Sequence, residues 1–305
     1  MRRCHDRACT AHAPVLKTDS ARSRRIGIGL TVLGTICFSV IDGSGKWLVQ
    51  QLPVAEVVWL RFATHVLWMG ALLAPRHGLA LVRMHDPKLQ ALRALMMVLM
   101  TALNFWALQY LQLAETGAIQ FSVPVLIALM SALWLGERLD ARRWVAIVGG
   151  FVGVLLVVRP GSAAFHPAIL LSIANAALYA GFNLLTRRMA ATETPESMQL
   201  VSAFGAAVLI APFALPQWVW PADALTWVVI AVCGLAGGLG HQCMAMAHRY
   251  ASAAVLGPFL YQQIVYMMFW GWLLFGQLPD AFVVAGALVV VASGLYLLAL
   301  ELKRR

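Results

Sequence analysis

The sequence predicts an all-α membrane protein of ten transmembrane helices, arranged as two inverted five-helix repeats. Three observations carry that prediction. The first is composition: 61% of the 305 residues are apolar and only 12% are Asp, Glu, Lys or Arg, against about 25% charged in a soluble domain. So little polar surface cannot cover a water-soluble globule, which excludes a soluble enzyme, a disordered chain and a disulfide scaffold together. The second is a series of apolar runs of about 20 residues, the length a helix needs to cross about 30 Å of hydrocarbon. The third is an echo of the first half of the chain in the second at an offset of 140 residues.

Charge, Pro and Gly punctuate the runs. After a polar tail, 1–25, spans are predicted at 26–49, 54–74, 90–108, 115–135 and 142–158, then at 167–187, 197–214, 224–246, 252–275 and 281–300. The first begins where the basic tail ends at Arg25, and the second follows Pro53. Later ones are bounded by Arg142 and Arg159, by Arg187 and Arg188, by Arg249, and by Asp280 and Lys303. A transmembrane barrel would alternate apolar and polar positions in short segments; continuous runs such as Val145 to Val158 are helical.

Orientation follows the basic residues. Counting alternate connections places all but three of the 23 Lys and Arg on one side; Lys46 and Arg159 fall on the other, and Arg61 lies inside a span. Both termini are therefore expected in the cytoplasm. The same clustering of basic residues between apolar runs speaks against nucleic acid as a partner. The tail has no apolar stretch before Ile26 and is not read as a secretory signal. Its Cys4, His5, Cys9 and His12 fit no zinc spacing, so neither metal nor cofactor is expected. Cys37, Cys233 and Cys243 lie within spans and read as small apolar fillers.

In the echo, Tyr110, Ala114, Gly117, Val125, Leu133, Gly136 and Asp140 align with Tyr250, Ala254, Gly257, Val265, Leu273, Gly276 and Asp280. The Tyr, Gly and Asp matches count most, because chance between two apolar stretches does not supply them. Five spans per half is an odd number, so the second half must enter the membrane inverted. That is a common plan of secondary transporters, whose substrate site lies near midplane at the repeat interface.

On these residues the chain resembles the drug/metabolite transporter superfamily, specifically proteins with two EamA-like domains, here expected at 26–160 and 167–301. The first copy carries Ala107-Leu108-Gln109-Tyr110, Pro124, Leu135-Gly136-Glu137 and the Gly149/Gly150/Gly153 run. The second keeps Tyr250, Gly276 and Gly294, but has Gln277 where Glu is frequent and moves its Pro to Pro258. Asp42, Lys46, Trp59-Leu60-Arg61 and Phe151-Val152-Gly153 with Arg159-Pro160-Gly161 resemble a proteobacterial branch associated with riboflavin or S-adenosylmethionine uptake.

Several polar residues stand out against the apolar spans. Asp42 and Arg61 each lie seven residues from the outer end of a span, about 10 Å deep at helical rise. A charge there costs about 2.5–3.5 kcal/mol on insertion scales, so the two are expected to pair. The pair serves either as a gate or substrate contact, or only to fix two helices. Lys46 and Glu56, nearer the outer surface, are expected to snorkel to water. His65, Asn175, Tyr179, Gln262 and Gln263 fall near midplane, where they could line a substrate path or satisfy one another between helices. Trp68, Phe182, Tyr261 and Tyr266 could stack on a flat ligand or simply pack. Pro124 removes a backbone hydrogen bond inside the fourth span and is expected to act as a hinge.

No nucleophile–base set, P-loop or metal motif is legible, so a membrane-embedded enzyme is disfavoured. The expected function is transport of a small organic molecule across the bacterial inner membrane by alternating access. An ion gradient or the substrate's own gradient would drive it, and a homodimer is compatible with the sequence. The resemblance puts riboflavin uptake first, S-adenosylmethionine uptake second and efflux of an amino acid or other metabolite third.

Overall fold

A computed structural model describes residues 21–135, 140–163, 165–190, 192–251 and 253–302. Most of the tail, with its Cys and His residues, lies outside the described residues, as do Gly136, Glu137, Arg138 and the terminal Lys303, Arg304 and Arg305. The helices are α1 (Ala21–Leu48), α2 (Val54–His77), α3 (Pro87–Leu108), α4 (Leu113–Gln120), α5 (Val123–Leu135) and α6 (Ala141–Val158). They continue as α7 (Ile169–Met189), α8 (Pro195–Ala214), α9 (Ala224–Tyr250), α10 (Ala253–Leu260), α11 (Gln263–Phe275) and α12 (Ala281–Leu302). Short 3₁₀ turns cover Gly78–Val82 and Leu215–Gln217. Eight of the helices, α1, α2, α3, α6, α7, α8, α9 and α12, are long and apolar enough to cross a membrane.

Local chemistry sets their starts. Asp86 accepts from the Lys88 and Leu89 amides at 3.0 and 3.1 Å to cap α3, with Pro87 supplying the first position, where its missing N–H costs nothing. Asp140 and Asp280, the acidic pair of the repeat, cap α6 and α12 in the same way, each accepting a backbone N–H at 2.9 Å, from Arg143 and Val283. Gly276 ends α11 at φ +62°, a conformation that costs glycine no Cβ clash.

The predicted spans 115–135 and 252–275 are not continuous helices. The first is broken at Phe121–Ser122 and the second at Tyr261–Gln262, positions that again differ by 140. Pro124 stands in the first turn of α5 and has no N–H to offer the Gln120 carbonyl, so the helix cannot run through. Pro258 lies inside α10, three residues before the second break. The rings of Phe121 and Tyr261 meet across the bundle with centroids 5.4 Å apart.

Helices pack in a reciprocal pattern. α1 packs on α9 and α7 on α3; α2 packs on α9 and α8 on α3; α2 meets α8 and α6 meets α12. α1 also touches α10 and α11, as α7 touches α4 and α5. Small residues allow the close crossings. A Cβ on Gly286 would stand 2.6 Å from the Gly153 carbonyl, and one on Gly149 would stand 2.7 Å from the Ser293 hydroxyl. Gly149 and Gly153 therefore serve contact within the chain, as do Gly234 and Gly238, which lie against Thr64 and Met69 of α2.

Two large apolar cores result, with smaller clusters around Met69 and around Ala247. One is centred on Val57, Val58, Phe62, Phe105, Leu108 and Ile230. The other is centred on Ala118, Ile119, Val157, Ile169 and Ala180. Tyr179 packs against both.

Two expectations at the outer ends fail. Lys46 is buried, its ammonium donating to the Leu111 carbonyl at 2.5 Å and lying 5.2 Å from the Phe275 ring. Glu56 is fully buried and accepts from the Val219 amide at 2.9 Å. Both side chains find backbone partners on neighbouring segments, which spares them the reach to water. Trp59, Trp218, Trp220 and Trp227 form a chain of ring contacts with centroids 5.6–6.5 Å apart.

Candidate functional site

The expected site residues fall into two groups. Asp42, Arg61, His65 and Gln263 gather where α1, α2, α9 and α11 meet. Asn175 lies farther off, donating from its amide to Gln120 Oε1 of α4 at 3.2 Å. Tyr179 stacks on Phe182 at 6.3 Å between the two cores, and Gln262 donates to the Thr35 hydroxyl at 3.1 Å. Of the rings expected to stack on a ligand, Phe182 lies beneath Arg93, Tyr261 presses on Gly294, and Trp68 is on the outside of the bundle.

Asp42 and Arg61 do not form the expected ion pair. The ion pairs among the described residues are Arg159–Asp280 at 2.6 Å and Arg249–Glu196 at 3.2 Å. Asp42 turns toward α3 and α11 instead. One of its oxygens accepts from Asn104 at 2.9 Å and the other from Gln263 at 3.5 Å. Arg61 turns toward α9, where a Cβ on Gly237 would stand 3.5 Å from its Nη2. The expectation assumed that consecutive helices are neighbours, whereas α1 and α2 both pack on α9, and each side chain projects toward a different partner.

Arg61 is 5% exposed, and its Nε and Nη1 have no hydrogen-bond partner. Its guanidinium lies over the Phe62 ring at 4.3 Å. His65, one turn away on α2, is fully buried. Gln199 of α8 donates from Nε2 to the Gly238 carbonyl at 3.0 Å, and the same nitrogen lies 3.3 Å from His65 Nε2. With Gln199 donating to it, His65 Nε2 is the acceptor of a neutral ring, which places the proton on Nδ1. That Nδ1 is also buried without a partner, 3.3 Å from where a Gly237 Cβ would stand. The His241 ring of α9 lies 6.4 Å from the His65 ring, the two planes inclined at 30°.

Sequence reasoning missed Asn104, Gln199 and His241. A polar amide or imidazole inside an apolar helix was the available signal, but it does not say which helix the group faces. It also missed Arg93, counted among the cytoplasmic cations. Arg93 is 7% exposed and held on three sides: Nη1 donates to the Met198 carbonyl at 2.8 Å and the Ser202 hydroxyl at 2.6 Å, Nε donates to Thr186 at 3.2 Å, and Phe182 lies beneath it at 4.5 Å.

The arrangement holds buried charges and unpaired donors, and no group of three or more metal-holding side chains occurs among the described residues. Unpaired donors beside a buried guanidinium can hydrogen-bond a polar acceptor. Comparison with known proteins agrees in kind. The chain is 28% identical over 268 residues to the pseudopaline exporter CntI of Pseudomonas aeruginosa (strain UCBPP-PA14), covering 88% of this chain and 94% of that protein. It is 28% identical over 276 residues to a riboflavin transporter of Vibrio cholerae, covering 88% and 91%. It is 24% identical over 288 residues to an S-adenosylmethionine uptake transporter of Rickettsia felis, covering 93% and 96%. A solved structure shares the fold at a TM-score of 0.62 and 19% identity, covering 93% of this chain and 98% of that one. The EamA-like transporter family matches residues 25–159 and again 166–299. The chain therefore belongs to the EamA-like transporter family, within the drug/metabolite transporter superfamily.

Proposed function

We propose that this protein is a secondary transporter of the bacterial inner membrane that moves a small organic metabolite by alternating access. In this reading residues 26–160 and 167–301 are inverted five-helix repeats that rock against each other, with both termini in the cytoplasm. The observation that carries it is the reciprocal packing of helices under the 140-residue offset, together with the two helix breaks at matching positions. Discontinuous helices near the repeat interface are where such carriers hold their substrates. Asp42, Arg61, His65 and Gln263 line the path at its charged section, with Asn175, Tyr179 and Gln262 along its flank. The break before Pro124 is the hinge.

The relatives carry riboflavin, S-adenosylmethionine and pseudopaline in their names, so the direction and the substrate are both assayed. Cells lacking their own importers are given labelled riboflavin or S-adenosylmethionine, with and without a proton gradient. Accumulation of either identifies an importer; accumulation of neither moves efflux to first place. A reporter active only in the cytoplasm should be active when fused after Arg305 and within Arg187 to Ser197. A periplasmic signal at either point breaks the inverted-repeat reading.

A further inference from the structure

Buried donors in folded proteins are almost always paired. Arg61 Nε, Arg61 Nη1 and His65 Nδ1 break that rule together, within one turn of α2. A guanidinium has five N–H donors and no acceptor, and the neutral His65 ring presents its own N–H on the same side. What this corner lacks is an acceptor. The nearest candidate, Asp42, is held by Asn104 and Gln263. The helix opposite carries Gly237, which brings the α9 backbone close to this corner: a Cβ there would stand 3.3 Å from His65 Nδ1 and 3.5 Å from Arg61 Nη2.

We propose that Arg61 and His65 bind a carboxylate of the transported metabolite, at the corner where their unpaired donors meet α9. The inference rests on the transporter reading and narrows it. The planar fork of an arginine matches the two oxygens of a carboxylate, and charge-assisted hydrogen bonds are the strong ones in a site withdrawn from water. A metabolite bearing a carboxylate, such as S-adenosylmethionine, suits the site; riboflavin, which has none, does not.

The test reads the site itself. The full-length protein in lipid nanodiscs is treated with methylglyoxal, a small arginine-selective reagent, and modification of Arg61 is followed by mass spectrometry at constant ionic strength. Acetate at about 50 mM, a range suited to the weak binding of so small a ligand, should slow modification several-fold. Acetamide, its neutral twin, should not. In Gly237→Ala the cation is kept but a methyl crowds His65 Nδ1 and Arg61 Nη2, so acetate protection should fall while Arg61 still reacts. Arg61 itself stays in place throughout, so the outcome does not depend on whether an Arg61 variant folds. Three results overturn the site: no reaction at Arg61, equal rates with and without acetate, or protection by chloride as strong as by acetate. Flux of riboflavin or S-adenosylmethionine into vesicles of the same preparation separates the two readings. Flux without acetate protection removes the carboxylate site and leaves the transporter, and protection without flux does the reverse.

Discussion

Two corners of the bundle each bury an arginine, and they treat it in opposite ways. In the corner of α3, α7 and α8, Arg93 donates to Met198, Ser202 and Thr186 and rests on Phe182. In the corner of α1, α2 and α9, Arg61 rests on Phe62 and leaves Nε and Nη1 without partners. The two corners correspond under the 140-residue offset, which carries α1 to α7, α2 to α8 and α3 to α9. One arginine is a fastener that ties three helices together. The other is a buried charge with two of its nitrogens left without partners. Burial alone does not separate them, at 7% and 5% exposed; the count of partners does.

The largest effect expected from this contrast is on stability. Arg93→Met strips three charge-assisted hydrogen bonds and should lower the stability of the detergent-purified protein by about 2–4 kcal/mol. Arg61→Gln removes a charge that few contacts repay, and should leave stability within about 1 kcal/mol or raise it. Transport should respond in reverse, with Arg61→Gln folded but impaired. Equal thermal losses in the two variants would break the comparison.

The glycines of the same corners give the next effect. A Cβ at Gly234 would meet Thr64 Cβ at 2.6 Å and the His65 backbone nitrogen at 2.8 Å, so Gly234→Ala should cost about 1–3 kcal/mol. At Gly181, in the other corner, the nearest atom is the flexible end of Met96 at 3.1 Å, and Gly181→Ala should be within about 0.5 kcal/mol of neutral. Thermal midpoints of the two variants measure the difference in helix approach directly.

A smaller effect tests the separation of Asp42 from Arg61. Asp42 and Arg61 make no ion pair, yet each buried charge still feels the other, so the stability changes of Asp42→Asn and Arg61→Gln should couple in the double variant by no more than about 1 kcal/mol. A coupling well above that would restore the ion pair expected from the sequence.

The smallest effect lies away from both corners, at the outer cap of α12. The Val283 amide, and then Arg159, hold the Asp280 carboxyl below its ordinary value of 3.8. Such a lowered carboxyl contributes stability above the ordinary carboxylate range and loses it as pH falls through that range. The thermal midpoint of Asp280→Asn should therefore sit slightly below the parent at neutral pH, with the gap closing toward about pH 3.

Much of the fold was legible because a bilayer leaves so few choices. Every backbone group must be satisfied within the spanning segment, so a continuous apolar run such as Val145 to Val158 can only be helix. The capping roles of Asp140 and Asp280 follow from their place before such runs. The breaks were half legible: Pro124 announced a disturbance in the fourth span, whereas Pro258 precedes its break by three residues and Tyr261–Gln262 gives no comparable signal. At the site, the sequence picked out Asp42, Arg61, His65 and Gln263, since polar groups in apolar helices are expensive enough to be conspicuous. It misjudged their partners. Asn104, Gln199 and Gly237 come from three other helices, and Lys46 and Glu56 turned inward to backbone groups of distant segments.

What the sequence determined by itself was the membrane as solvent, the helical class, the internal echo and the identity of the costly polar residues. All of these depend on composition and on short-range periodicity, which the linear chain contains in full. What only the tertiary structure decided was who meets whom: that Arg93 is satisfied, that Arg61 is not, and that a glycine stands opposite it. Those facts depend on the rotation of each helix about its own axis and on which neighbour it faces. An apolar bilayer, which rewards every lipid-facing residue alike, leaves that rotation to the packing of glycines and the pairing of a few buried polar groups.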